Sequence, residues 1–272
     1  MPTAQRVTNT AVGVVLVLVF LAPVYWMINV SLQSSAALLR TPPAWFPADP
    51  TWSGYAEAVR TQGDNLLTSL VIALGTVVFT LLLSAPAAYA LARFRLRGTL
   101  ALVLVVLLVQ MVPGIVMANS LYPVFSQLGL LDSYVGMILA DSTLTVPFAV
   151  LILRTFMSGV PKELIEAGYV DGAGQWRTFG SVVVPVCRNA LITAGLFSFL
   201  FAWADFLFAV SFTTGNTLQP ITVGIYRFVG NQTTNWNGVM ATAVLASIPA
   251  AILLLTAQRY VAAGITGGGV KD

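Results

Sequence analysis

Two aspartates, Asp141 and Asp205, each stand alone in a stretch otherwise free of charge: Ser133 to Leu153 for the first, Asn189 to Thr213 for the second. A carboxylate in such surroundings is costly and marks a functional position by default. Paired carboxylates can cleave a peptide bond, relay protons or contact a polar solute. Intramembrane aspartyl cleavage would need Gly-x-Gly-Asp surroundings, and neither aspartate has them. The chain has no histidine, which excludes Ser-His-Asp triads, Cys-His dyads, histidine-type zinc sites and histidine relays. Its single cysteine, Cys187, cannot form an internal disulfide. No Gly-x-x-x-x-Gly-Lys-Ser/Thr stretch is present to hold a nucleotide phosphate. The expectation is a solute route with no catalytic residues, no metal and no cofactor bound by this chain. Gln110 and Asn119, polar groups in a third apolar stretch, and Trp203, an aromatic beside Asp205, complete the route candidates. Asp141 is expected near the outer headgroup level and Asp205 deeper.

A second group of polar residues lies together between Ser158 and Arg188. Pro161 with Glu163 after it reads as a helix start. Leu164, Ala167 and Gly168 share a face at helical spacing, Lys162 and Glu166 are four residues apart, and Asp171-Gly172 reads as a stop. A second short helix is predicted to carry Trp176 and Phe179 and to end at Pro185. Such a bent pair of helices either lies on lipid headgroups or docks a partner, with small side chains at Ala167 and Gly168 admitting close approach.

The elements that position these groups follow from composition. Of 272 residues, 57% are hydrophobic and only 8% charged, against about 25% charged in soluble domains. The net charge of +3 rests on 13 basic and 10 acidic residues, too sparse for a nucleic-acid face. A soluble enzyme, a disordered chain and a nucleic-acid binder are all excluded, leaving an integral membrane protein. Crossing a bilayer takes roughly 20 apolar residues, and uncharged stretches place six spans near 9–31, 66–92, 99–119, 134–157, 189–211 and 237–259. The first reads as an uncleaved span. Pro23, Pro86, Pro113, Pro147 and Pro249 fall within spans and predict kinks. With both termini inside, the inner set is Arg6, Arg93, Arg95, Arg97, Arg154, Lys162, Arg177, Arg188, Arg259 and Lys271, against Arg40, Arg60 and Arg227 outside. Ten against three predicts cytoplasmic termini and a cytoplasmic 158–188 loop. Gly267-Gly268-Gly269 reads as a flexible tail.

Glu166-Ala167-Gly168-x-x-Asp171-Gly172-Ala173, followed by Val184-Pro185, resembles the EAA loop of ABC-importer permeases. More narrowly it is similar to the carbohydrate-uptake group, the second permease of maltose-type systems. Met111-Val112-Pro113, Gly129-Leu130-Leu131-Asp132, Phe201-Ala202-Trp203-Ala204-Asp205, Ile248-Pro249 and the glycine-rich tail extend the likeness over almost the whole chain. Gly168 stands where the family commonly has Ala, and Ala204 where it often has Asn. The resemblance implies an all-α membrane protein with six transmembrane helices, the type I importer fold and a cytoplasmic coupling loop. It divides the chain into a first helix with its external loop (1–63), a core (64–260, coupling loop about 158–188) and a cytoplasmic tail (261–272). It implies residence in the bacterial cytoplasmic membrane with a second homologous permease, two copies of an ATPase holding ATP and Mg, and an external solute-binding protein or lipoprotein. Glu163, Glu166, Ala167, Gly168, Asp171, Gly172, Ala173 and Pro185 would serve ATPase coupling, and a sugar or oligosaccharide would be the solute. The other readings are a permease for a glycerol-phosphate compound and a stand-alone secondary transporter. Neither internal repeats nor an intramembrane acid–base pair favours the latter.

Overall fold

The computed structural model of the protein describes residues 3–94, 97–215, 217–231 and 235–267. Arg95 and the 268–272 end of the tail, with Gly268, Gly269 and Lys271, lie outside these residues. Among the described residues the chain is helical, without strands. In order come α1 (Thr3–Ser31), α2 (Ser35–Leu38), α3 (Ser53–Arg93), α4 (Thr99–Val109), α5 (Gly114–Gln127), α6 (Tyr134–Ser158), α7 (Lys162–Val170) and α8 (Gln175–Thr178). A π-turn over Phe179–Val183 follows, then α9 (Val184–Val186), α10 (Arg188–Ala204), α11 (Leu207–Phe212), α12 (Ile221–Asn231) and α13 (Trp236–Gly267).

Among the described residues four helices are long and apolar enough to cross a membrane: α1, α3, α6 and the Trp236–Gln258 part of α13. Two bent pairs bring the number to six if each counts as one span. The stretch expected as a single helix over 99–119 is one of them: α4 and α5 meet at 97°. Pro113 is responsible, because the residue before a proline is pushed out of the helical region. Pro113 itself, at φ −58° and ψ 135°, caps the start of α5. The other four span prolines lie inside continuous helices. Helix α3 has 41 residues, about 60 Å at 1.5 Å per residue and twice an apolar layer of about 30 Å. Its charges are Glu57, Arg60 and Asp64 near the N-terminal end and Arg93 at the C-terminal end, so the apolar part runs from close to Leu66 to Ala92.

The described chain forms two compact units, one from residues 1–66 and 224–249, the other from 67–223 and 250–272. In the first, polar side chains bind the 41–52 segment to α1. Asn29 and Gln33 both donate to the Ala44 carbonyl, at 3.0 and 3.2 Å, and the Thr51 amide donates to the Leu32 carbonyl at 2.9 Å. Asn235 donates to Glu57 at 2.6 Å.

The second unit holds the larger core. Ala85, Ala88, Ala149, Ala190 and Ala194 are buried in one cluster with Tyr89, Leu153, Met157 and Val183. Small side chains let membrane helices approach closely, where packing rather than water exclusion holds them. Thr80 of α3 and Thr145 of α6, both fully buried, share a hydrogen bond of 2.7 Å. A second cluster gathers Phe125, Met137, Phe208 and Phe212 around the ends of α5, α6 and α11. Asp132, at φ +54°, ties that end together by accepting from the Thr214 hydroxyl and the Gly215 amide, both at 2.8 Å.

Candidate functional site

Two sites are built inside the second unit. The first is a cleft of about 590 Å³ between α6 and α10. Asp141 and Leu144 line it from α6. Phe197, Leu200, Phe201 and Ala204, spaced as one face of a helix, line it from α10, and Asp205, Phe206 and Leu207 close it where that helix breaks. Asp205 is not in the middle of a straight span, as expected over 189–211, but at the break itself. Its carboxylate accepts the Phe208 and Ala209 amides, at 3.3 and 2.9 Å, and so starts α11. Aspartate is a preferred residue at such a start because it satisfies amides that have no helical partner.

Asp141 lies two turns into α6 and is only 3% exposed. Proximity to the helix end in sequence does not report which way a side chain faces, and this one faces α10. Its sealed Oδ2 has no hydrogen-bond partner among the described residues. Among the described residues no lysine or arginine lines the cleft.

The remaining route candidates are not brought to this cleft. Gln110 caps the C-terminal end of α4 at the 97° bend, and Asn119 lies exposed on α5. Trp203 is 7% exposed and stacked on Phe199, with ring centroids 5.5 Å apart and planes 11° apart, on the side of α10 away from the cleft.

The second site is the segment from Ser158 to Arg188. Helix α7 ends as its Asp-Gly predicts. Gly172 has φ +80°, the Ala173 amide donates to the Gly168 carbonyl at 2.9 Å, and the Gly172 amide donates to Tyr169 at 3.0 Å. This is the paired hydrogen-bond pattern of a glycine-terminated helix. A branched side chain at a left-handed position costs about 1–2 kcal/mol. Gly172→Val should therefore lower the unfolding temperature by a few degrees, measurable by thermal denaturation in detergent.

Helix α7 faces two ways. Ile165 joins the core cluster with Val160, Met157 and Val183, while Glu163, Glu166, Ala167 and Val170 are exposed on the opposite side. Gly168 belongs with the inner face. A Cβ there would lie 3.3 Å from both Cγ2 and Oγ1 of Thr178, which is fully buried. Its small size therefore serves the closure of the segment on itself, a correction to the expectation that it faces outward. Pro185 is also corrected. It lies inside the helical run Gln175–Val186, directly after the π-turn, and the chain stays helical until Cys187. Asp171 is exposed, Ala173 half-buried and Pro185 exposed.

Two residues of α3 that sequence reasoning did not single out grip this segment. The Tyr89 ring lies 5.1 Å from Phe179, and the Tyr169 hydroxyl is close to its own. One turn on, Arg93 Nη2 donates to the Val160 carbonyl. Their i, i+4 spacing at the end of an apolar helix was the available signal.

The described chain is thus all-helical, with membrane-length apolar helices, a largely apolar cleft that holds two aspartates, and a folded amphipathic connector. Residues 81–267 match the family model described as the binding-protein-dependent transport system inner membrane component. The chain is 34% identical to the sulfoquinovosyl glycerol transport system permease of Agrobacterium fabrum, over 92% of this chain and 89% of that one. It is 33% identical to the trehalose transport system permease of Mycobacterium tuberculosis, over 98% and 99%. Its fold is similar to a crystal structure of a bacterial ABC transporter involved in the import of the acidic polysaccharide alginate, with TM-score 0.81, 21% identity, and 96% and 98% of the two chains covered. The chain belongs to the family of binding-protein-dependent inner membrane permeases of ABC importers.

Proposed function

We propose that this permease forms, with a second homologous permease, the translocation pathway of an ATP-driven importer for a sugar or oligosaccharide. Two copies of an ATPase, carrying ATP and Mg, would dock on the 158–188 segment, and an external solute-binding protein or lipoprotein would deliver the solute. The carrying observation is the two-faced construction of α7. Glu163, Glu166, Ala167 and Val170 are presented outward, while Ile165 is plugged into the core shared with α3, α6 and α10. A push on the outer face is thereby passed to the membrane helices. On this reading the six spans comprise the four long helices and the two bent pairs, the 64–260 core carries the route, and 261–272 trails from it. The ten-to-three bias of basic residues supports cytoplasmic termini and a cytoplasmic 158–188 segment. Named relatives that handle trehalose, trehalose/maltose and diacetylchitobiose support a saccharide as solute. Among the described residues the cleft offers no lysine or arginine to pair with a phosphate, which supports a neutral solute over a glycerol-phosphate compound.

Reconstitution into proteoliposomes tests this. Uptake of labelled saccharide should require the ATPase, ATP and the binding protein together. Uptake by the permeases alone, driven by an ion gradient, would instead make the chain part of a secondary transporter.

A further inference from the structure

The two arms of the 158–188 connector carry opposite charge. From Lys162 to Asp171 the first arm has Glu163, Glu166 and Asp171 against a single lysine. From Gln175 to Arg188 the second has Arg177 and Arg188 and no acidic residue. Both arginines are exposed. The second arm also leaves large apolar side chains open, Trp176 at 78% and Val186 at 53%.

Geometry decides how this arm lies. The helical run Gln175–Val186 meets α10 at 80°. With α10 across the bilayer, as in the span assignment above, the run lies close to the membrane plane. Aromatic contacts set its level. Phe179 packs on Tyr89, one turn before the end of α3, at 5.1 Å, and Trp176 meets Phe179 edge-on at 6.3 Å. Phe94, just past α3, meets Tyr89 edge-on at 5.9 Å. Arg93 ends the uncharged stretch of α3, and the first charge after an apolar stretch marks the headgroup level. Trp176 is thereby tied to the depth at which α3 leaves the apolar layer.

A tryptophan with arginines on a helix lying in the membrane plane has the chemistry of an interfacial anchor. The indole suits the headgroup layer, and the arginines meet its negative charge. The same surface repels the acidic first arm. We propose that the Gln175–Arg188 arm rests on anionic lipid headgroups of the inner leaflet through Trp176, Arg177 and Arg188. This rests on the transport reading above for its sidedness and deepens it, because each arm then has its own partner: lipid for the second, the ATPase for α7.

The test is photo-crosslinking in the assembled permease–ATPase complex, held in nanodiscs of phosphatidylglycerol and phosphatidylcholine. p-Benzoylphenylalanine replaces Trp176 or, for contrast, Ala167, and the adducts are identified by mass spectrometry. The main product from position 176 should be a lipid adduct, and from position 167 an ATPase adduct. Nanodiscs of phosphatidylcholine alone should lower the lipid yield at 176 threefold or more. Arg177→Gln combined with Arg188→Gln should do the same in the mixed lipid. A main adduct to the ATPase from position 176 would overturn the proposal, as would the absence of any lipid adduct there. A lipid yield indifferent both to lipid charge and to the arginines would overturn it equally. If position 176 captures anionic lipid as expected while position 167 finds no ATPase and ATP-driven uptake is absent, the anchor stands and the transport reading is what fails.

Discussion

Replacing Ala167 by tryptophan should reduce ATP-driven uptake at least tenfold and strip the ATPase from the purified complex, with the unfolding temperature unchanged. Ala167 is exposed on the outer face of α7 and shares that face with Glu163, Glu166 and Val170 at helical spacing. Substitutions at exposed positions that touch nothing within the chain usually stay within about 0.5 kcal/mol of wild type. An indole there is therefore harmless to the permease and costly only to a partner that must lie close. Gly168→Trp is the informative contrast. Gly168 faces Thr178 within the chain, so the same side chain one residue along must pry the segment open, and the unfolding temperature should drop together with transport. Co-purification, ATP hydrolysis and thermal denaturation of both variants separate the two effects. An Ala167→Trp complex that kept its ATPase and transported normally would show that the outer face of α7 touches no partner.

Tyr89→Ala should leave the ATPase attached and hydrolysing while uptake per ATP falls several-fold. Tyr89 is 6% exposed and is the point at which α3 meets both arms of the segment, Tyr169 on one and Phe179 on the other. Truncating a buried aromatic to alanine costs about 3–5 kcal/mol through lost burial and the cavity it leaves. Here that loss falls on the joint between connector and spans, and the outer face of α7 is untouched. Tyr89→Phe keeps the ring and its packing on Phe179 and loses only the hydroxyl, and should transport within twofold of wild type. The ratio of sugar moved to ATP hydrolysed is the measurement. Equal ratios for the alanine variant and the wild type would mean that force reaches the membrane by another path.

The membrane-embedded character of the chain and the places where its apolar helices lie were legible because a buried charge is costly, and so its absence marks a span. The same logic is blind to direction. An apolar run reads alike whether the chain goes straight or turns by 97°, so the break at Pro113 was missed as a break although the proline was noted. The break at Asp205 carried a signal too, since aspartate favours helix starts, but a lone acid in an apolar run reads first as a buried charge. Side-chain direction explains the other misses. Hydropathy placed Asp141, Gln110, Asn119 and Trp203 along the chain, yet only Asp141 turns into the cleft that Asp205 closes. In the connector, the Asp-Gly stop was predicted correctly because Gly172 is needed for its positive φ. Gly168 also turns a side toward Thr178, which a small residue does not disclose in sequence because it permits close approach from either side. Tyr89 and Arg93 went unnoticed because their partners, Val160, Tyr169 and Phe179, are 67 or more residues away along the chain.

The π-turn between Thr178 and Val183 sets a phase. Five residues along an α-helix, two side chains point about 140° apart, whereas a π-turn, bonded from i to i+5, brings them nearly into line. Thr178, which meets Gly168, and Val183, which enters the core beneath Tyr89, are five residues apart and both fully buried. The widened turn therefore acts as a key that keeps two teeth on one side of a shaft. Were it to relax into a regular helix, either the tooth that closes the connector or the tooth that locks it to the spans would rotate out of mesh. The transmission would then slip with every contacting side chain still present.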